Sequence, residues 1–205
     1  IGRHQAEAAV RLIDEGNTIP FIARYRKEMT GALNDETLRN LHERLLYLRN
    51  LEEKKEQVIN AITDQGKMTE DLKKKILSAE TLVAVDDLYR PYRPKKQTRA
   101  TKAKEKGLEP LANILLLQKT TKSMEEEAAA FVNAEKGVAN AKEAIAGAKD
   151  IIAEMIADMA DYRKSIRNCT MKQGSLVVKA KDEKAESVYE MYYDFREPLS
   201  KVTGY

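Results

Sequence analysis

At 205 residues the chain is long enough to bury a core without staples, and its single cysteine, Cys169, excludes an intramolecular disulfide. Charged residues make up 34% and aromatics 6%, with no Trp, a balance that favours helices over sheets. The net charge of +3 excludes a uniformly basic chain, so where the charge sits matters more than its sum.

Residues 6–15, AEAAVRLIDE, place Ala6, Ala9, Val10 and Ile13 on one helical stripe, and Gly16 suits a C-terminal cap because it accepts a positive φ. Thr18 and Pro20 read as the N-cap and first turn of a second short helix, with Phe21, Ile22 and Tyr25 as its buried face. Residues 1–33 thus read as a helix-turn-helix-like unit. Asn34 caps the next helix, with Asp35 and Glu36 at the positive end of its dipole. Leu38, Leu41, Leu45, Leu48, Leu51, Val58 and Ile62 carry its apolar stripe, and no Pro or Gly interrupts it from Asp35 to Gln65. Arg39–Glu43 and Arg49–Glu53 are candidate pairs on its wet side.

Thr69 caps another helix, and AETLVAVDDLY adds a short one ending before Pro91. EPLANILLLQK reads as a Pro-initiated helix, and Ser123 caps MEEEAAAFV. A second long helix is expected over 139–168. Ala141, Ile145, Ala148, Ile152, Met155, Met159, Tyr162 and Ile166 form its heptad-like seam, which reads as intramolecular packing in preference to a coiled-coil dimer. SLVVK, 175–179, suggests a strand without an evident partner, and a last helix is expected over 183–193. The fold class is all-α: the helix-turn-helix-like unit, then a multi-helix bundle with two long helices over 34–205.

Catalysis has no foothold. His4 and His42 lack ligand spacing, and there is no glycine-rich phosphate loop and no nucleophile elbow. No enzyme, cofactor, metal or small-molecule substrate is expected. No apolar run approaches the ~18 residues of a membrane span and no signal peptide is visible, so no membrane partner and a cytoplasmic location are expected.

The strongest local signal is charge. Between Tyr89 and Lys106 stand eight Lys or Arg and one acid, Glu105, so this stretch carries +7 while the rest of the chain sums to −4. Arg90, Arg93, Lys95, Lys96, Arg99, Lys102 and Lys104, with Tyr92 interleaved, are candidate nucleic-acid contacts. The competing reading has these cations paired with acidic helices. Arg24, Arg26 and Lys27 are secondary candidates. On a continuous helix Arg24 and Arg26 lie roughly 200° apart, so they cannot both face one groove, and one of them is expected to pair with Glu28 or Asp35.

Four stretches go beyond physics. EGNTIPFIARYRKEMTGALNDETLRNLHERLLYLRNLEEKKEQVINAI closely resembles the N-terminal region of the bacterial Tex family of transcription accessory proteins, DDLYRPYRPKKQTRATKAKEKGLEPLA resembles its next block, and GVANAKEAIAGAKDIIAE and DFREPLS look like later blocks in the same order. The resemblance implies a piece of a much longer protein, truncated by about one helix before Ile1 and incomplete at its C-terminus. It implies that the missing part holds an RNase H-like domain, helix-hairpin-helix units and an OB-fold RNA-binding domain. It also implies kinship with the eukaryotic elongation factor that travels with RNA polymerase. It carries no catalytic residue onto this segment. The function expected is a helical scaffold with an auxiliary, sequence-independent contact to RNA or DNA, the main contact belonging to absent domains. The alternative is a docking module for RNA polymerase or another complex. The aromatic tail Tyr189, Tyr192, Tyr193 and Phe195 is expected to pack on a missing domain.

Overall fold

The computed structural model describes residues 1–182 and 184–203. The chain divides into two compact units, Ile1–Val85 and Asp86–Tyr205. The described residues hold eleven α-helices and one two-stranded sheet, so the all-α class stands.

In the first unit α1 (Arg3–Asp14), α2 (Ile19–Tyr25), α3 (Lys27–Thr30) and the start of α4 (Asp35–Asp64) share one core. Ala9, Leu12, Ile22, Leu33 and Leu38 are buried in it, with Ile13, Ile19, Ala23, Met29 and Leu41 packed around them. Gly16 has φ +85° in the turn after α1, as its position suggested. Gly31 closes α3 in the left-handed region at φ +61°. The Gln5 amide donates to the carbonyls of Thr30 at 3.2 Å and Gly31 at 3.1 Å, and stands where a Cβ on Gly31 would go.

Pro20 lies in the first turn of α2, as expected, but Tyr25 is 56% exposed instead of buried. Ile19, Ile22 and Ala23 form the inward stripe, which leaves Phe21 and Tyr25, four residues apart, to share the other flank.

The helix α4 is about 45 Å long at 1.5 Å per residue. Its N-cap is the expected one, Asn34 Oδ1 accepting from the Thr37 N–H at 2.8 Å. Leu51, Val58 and Ile62 are buried, whereas Leu48 is exposed. Its arginines take partners other than the expected ones: Arg39 pairs with Asp35 at 2.5 Å, beside the helix start, and Arg49 reaches Asp14 of α1 at 2.7 Å. Lys55 is buried on the apolar stripe, its ammonium donating to Glu52 Oε1 at 2.8 Å and to the Leu77 carbonyl at 2.9 Å. That second bond ties α4 to the end of α5 (Glu70–Leu77).

The boundary between the units falls within α6 (Leu82–Tyr89). The second unit then runs through α7 (Arg99–Glu105), α8 (Glu109–Leu117), α9 (Met124–Ala129), α10 (Ala141–Asp158) and α11 (Ala160–Gln173). Its core is made largely of small residues: Ala100, Ala103, Ala112, Ala128, Ala144 and Ala148 are buried with Leu108, Leu111, Val138 and Ile151. A Cβ added to Gly147 would stand 2.4 Å from Leu108 Cδ1 and 3.3 Å from Ala103 Cβ, so the missing side chain is what lets α10 come this close to α7 and α8.

The long helix expected over 139–168 is two helices. Met159 takes an extended conformation, φ −73° and ψ 117°, between α10 and α11. No Pro or Gly marks the break. Arg163 spans it, donating to Asp87 of α6 at 2.6 Å and also to the Ala157 carbonyl at the end of α10. The seam divides accordingly. Ala148 is buried and Ala141, Ile145 and Ile152 are half-buried, while Met155, Met159, Tyr162 and Ile166 are exposed.

SLVVK is a strand, β1 (Ser175–Lys179), and its antiparallel partner is β2 (Asp194–Pro198), with Val177 opposite Arg196. The helix expected over 183–193 is reduced along 184–193 to a single 3-10 turn, Glu190–Tyr192, and residue 183 lies outside the described residues. A helix would pair the Tyr189 N–H with the Ala185 carbonyl. Here the Tyr193 hydroxyl donates to that carbonyl, and the Tyr189 N–H takes Ser187 Oγ at 3.0 Å. Tyr192 and Phe195 of the aromatic tail meet edge-on at 5.5 Å between ring centroids, and Tyr189 is exposed.

Gly147→Val places two methyls against Leu108 and Ala103, and is expected to cost about 1–3 kcal/mol as overpacking does. Urea denaturation followed by far-UV circular dichroism will show it as a lower midpoint, and an unchanged midpoint would contradict close packing at this site.

Candidate nucleic-acid interface

The basic stretch begins where α6 ends. Pro91 tightens Arg90–Tyr92 into a single 3-10 turn, Arg93 is extended, and an irregular arm follows as far as Thr98. Thr98 then caps α7, its Oγ1 accepting from the Thr101 N–H at 3.0 Å. The inward face of α7, Ala100 and Ala103, belongs to the core shared with α10, so the cations of the arm and of α7 are carried along the length of α10.

Along α10 the acids Asp150, Glu154 and Asp158 recur every four residues and therefore lie on one face. They meet the arm as a ladder. Arg99 pairs with Asp150 at 3.4 Å; Thr98 Oγ1 donates to Glu154 at 3.0 Å and Lys95 stands 3.5 Å from the same carboxylate. Lys95 also bonds Asp158, which Arg90 reaches at 3.1 Å. The Asp158 side chain is only 13% exposed, so the ladder is strongest at that end, where screening by solvent is least. Lys104 pairs with Glu109 at 3.4 Å, and Lys106 donates to the Gly137 carbonyl at 2.8 Å.

The candidates therefore separate into two sets. Arg90, Lys95, Arg99 and Lys104 are engaged by carboxylates. Arg93, Lys96 and Lys102 are exposed and, among the described residues, have no carboxylate partner. Tyr92 is half-buried, so its ring is not offered freely to solvent.

The secondary candidates are arranged differently from the sequence expectation. The α2 helix ends at Tyr25, and Arg26 leaves helical space at φ −131°, ψ 31°. The 200° separation, which holds on a continuous helix, does not apply. Both guanidinium groups lie on one aromatic pair: Arg24 is 5.9 Å from the Tyr25 ring centroid, Arg26 is 5.1 Å from that of Phe21, and the two rings are 5.3 Å apart. Neither arginine pairs with Glu28 or Asp35 among the described residues, Asp35 being taken by Arg39. Lys27 is exposed.

Two groups of residues escaped the sequence reading. One is the acidic row of α10, visible in hindsight as a four-residue repeat. The other is Asp87, buried and bidentate, which receives Arg163 at 2.6 Å and Arg167 at 2.7 Å from successive turns of α11. Burial pushes the Asp87 carboxyl up, but the hydrogen bonds and charges of Arg163 and Arg167 outweigh it and hold the group below the ordinary carboxylate range. Among the described residues no group of three or more His, Cys, Asp or Glu could hold a metal ion, and no helix is long and apolar enough to cross a membrane.

This is an α-helical protein with a cation-rich arm clamped along an acidic helix. Residues 1–63 match the Tex-like protein N-terminal domain and residues 119–204 match the Tex central region-like model. The chain belongs to the Tex family. It is 47% identical over 204 residues to protein YhgF of Escherichia coli (strain K12), which covers 98% of this chain and 26% of that protein. It is 42% identical over 204 residues to transcriptional accessory protein Tex of Neisseria gonorrhoeae, with the same two coverages. Human S1 RNA-binding domain-containing protein 1 is 34% identical over 166 residues, 80% of this chain and 16% of that protein. The chain thus spans about a quarter of the length of the bacterial relatives it matches.

Replacing Asp87 by Asn removes a carboxylate that two arginines share. The expected cost is of order 2 kcal/mol at pH 7, moderated because both arginines are partly exposed. Because the folded-state pKa is depressed, the wild-type contribution is complete above the ordinary range near ~3.9 and fades as pH falls through the lower folded value. Urea midpoints measured against pH will show wild type converging on the Asn variant at the acid end; parallel curves would remove Asp87 from that role.

Proposed function

We propose that the chain is a helical scaffold segment of a nucleic-acid-associated, cytoplasmic transcription accessory protein, and that its arm makes an auxiliary, sequence-independent contact with RNA or DNA. The observation that carries this reading is the excess of cations over acids after pairing: Arg93, Lys96 and Lys102 keep their charge uncommitted beside a ladder that fixes their backbone. Kinship with a transcriptional accessory protein and with an S1 RNA-binding domain-containing protein supports the same direction. The main nucleic-acid contact of the whole protein is assigned to parts outside this chain. Phosphate contacts by three cations release counterions, so affinity should fall with salt at a slope near −2 for single strands.

The test is a salt series with short single- and double-stranded RNA and DNA, on wild type and on an R93Q/K96Q/K102Q variant. Wild type should bind weakly at ~50 mM salt and the variant should lose most of that binding and of its salt slope. No binding by wild type at this salt would reject the contact. In contrast, R90Q/K95Q/R99Q should first lower stability, because those side chains hold the arm to α10.

A second reading, docking to RNA polymerase, is favoured by one feature: Ile156, Tyr162 and Ile166 line an exposed apolar groove where α10 meets α11. Capture of polymerase by wild type and its loss in I156S/I166S would support it.

A further inference from the structure

The cluster at the end of α2 combines properties that the basic arm lacks. Tyr25 is 56% exposed, whereas Tyr92 of the arm is half-buried. Its ring is held by its neighbours: Phe21 lies one helical turn before it at 5.3 Å, and Arg24 covers one side at 5.9 Å. Arg26 is fixed over Phe21 and also donates to the Tyr25 carbonyl at 3.1 Å. A guanidinium that rests on an aromatic ring keeps most of its edge N–H donors free, because the ring engages the face of the cation and not its hydrogens.

Charge sharpens the point. The first unit has fourteen Lys or Arg and fourteen Asp or Glu, so it is neutral as a whole. Arg3, Arg11, Arg39 and Arg49 are all paired with carboxylates. Arg24, Arg26 and Lys27 are not, among the described residues, although the unit has acids enough to pair them. The result is a local anion-seeking patch next to an exposed, pre-oriented ring.

We propose that Tyr25, flanked by Arg24, Arg26 and Lys27, is a stacking site for an unpaired base of single-stranded nucleic acid, with the cations taking the adjoining phosphates. An exposed aromatic ring with cations on its rim suits a base, which offers a π-face of any sequence joined to a phosphate, and a duplex hides its bases from such a ring. The complementary charge is negative, which favours a nucleic acid over a protein surface of mixed sign. The proposal rests on the reading that this protein contacts nucleic acid, but it uses different residues and a different kind of contact. It differs from the arm in discriminating single strands from duplex.

The experiment measures binding of the full 205-residue chain to a labelled oligouridine of about a dozen nucleotides, to an abasic strand of equal length, and to a duplex, at ~50 mM salt. Tyr25→Leu keeps apolar volume and loses the aromatic face, and Tyr25→Phe keeps the face. The expected result is tighter binding of oligouridine than of the abasic strand, about a tenfold loss in Y25L, little change in Y25F, and unchanged duplex binding in all three. Circular dichroism of Y25L confirms the fold, and Y25F provides the comparison if it fails. Equal affinity of Y25L and wild type for oligouridine overturns the proposal. If R93Q/K96Q/K102Q alone loses binding, stacking fails while the arm contact survives. If wild type binds no strand, both fail. Should Y25L bind oligouridine normally but lose RNA polymerase, the surface belongs to a protein partner and the stacking site is rejected.

Discussion

The hydrogen that stands in place of a side chain at Gly147 sets the spacing of the second unit. With Leu108 and Ala103 occupying the space a Cβ would need, α7 and α8 can lie almost on the backbone of α10. Ala100, Ala144 and Ala148 extend the same thin layer, so the core here is narrow and its geometry unforgiving. Only because the helices are this close can short carboxylates on α10 reach cations of the arm. Asp150, Glu154 and Asp158 advance along the helix by roughly 6 Å per step, and the arm presents a cation near each.

That ladder changes what the charge of the arm means. Isolated ion pairs at a surface contribute at most about 1 kcal/mol each, so the ladder is not a large source of stability. Its effect is placement. An arm carrying Pro94 and no regular structure between Tyr92 and Thr98 is pinned at several points, one of them doubly. The cations left over are consequently held in a fixed arrangement at the surface. A stretch that carries +7 in sequence meets three carboxylates of α10 and that of Glu109, and so presents about +3, which suits the auxiliary contact proposed above.

Local features of the fold were legible. Asn34, Thr69 and Ser123 cap the helices they precede, since a cap needs only its own neighbours. The break at Met159 was not: no Pro or Gly marks it, and Asp87, which Arg163 bonds beside it, lies seventy-six residues away in sequence. Nor was β2: Asp194, Arg196, Glu197 and Pro198 are charged or proline residues with no strand preference, and only pairing with β1 makes this segment a strand. The candidate site shows the same division. Clustered cations are visible in any composition window, but the partners of Arg90, Lys95 and Arg99 lie more than fifty residues further on, and which cations remain free depends on a tertiary contact no window contains.

The two basic segments show how one residue type is put to two uses. In the arm, acids arrive on another helix and consume the charge. In α2 they never arrive. No carboxylate stands between Glu15 and Glu28, and α2 ends at Tyr25, with the chain leaving helical geometry at Arg26 before α3 begins. On a continuous helix Arg24 and Glu28 would be four residues apart and well placed to pair. The same break that turns Arg26 onto Phe21 also removes Glu28 from the helix that carries Arg24. Aromatic rings then become the nearest groups that a guanidinium can rest on, which is how Phe21 and Tyr25 come to hold both arginines at the surface with their charge unspent.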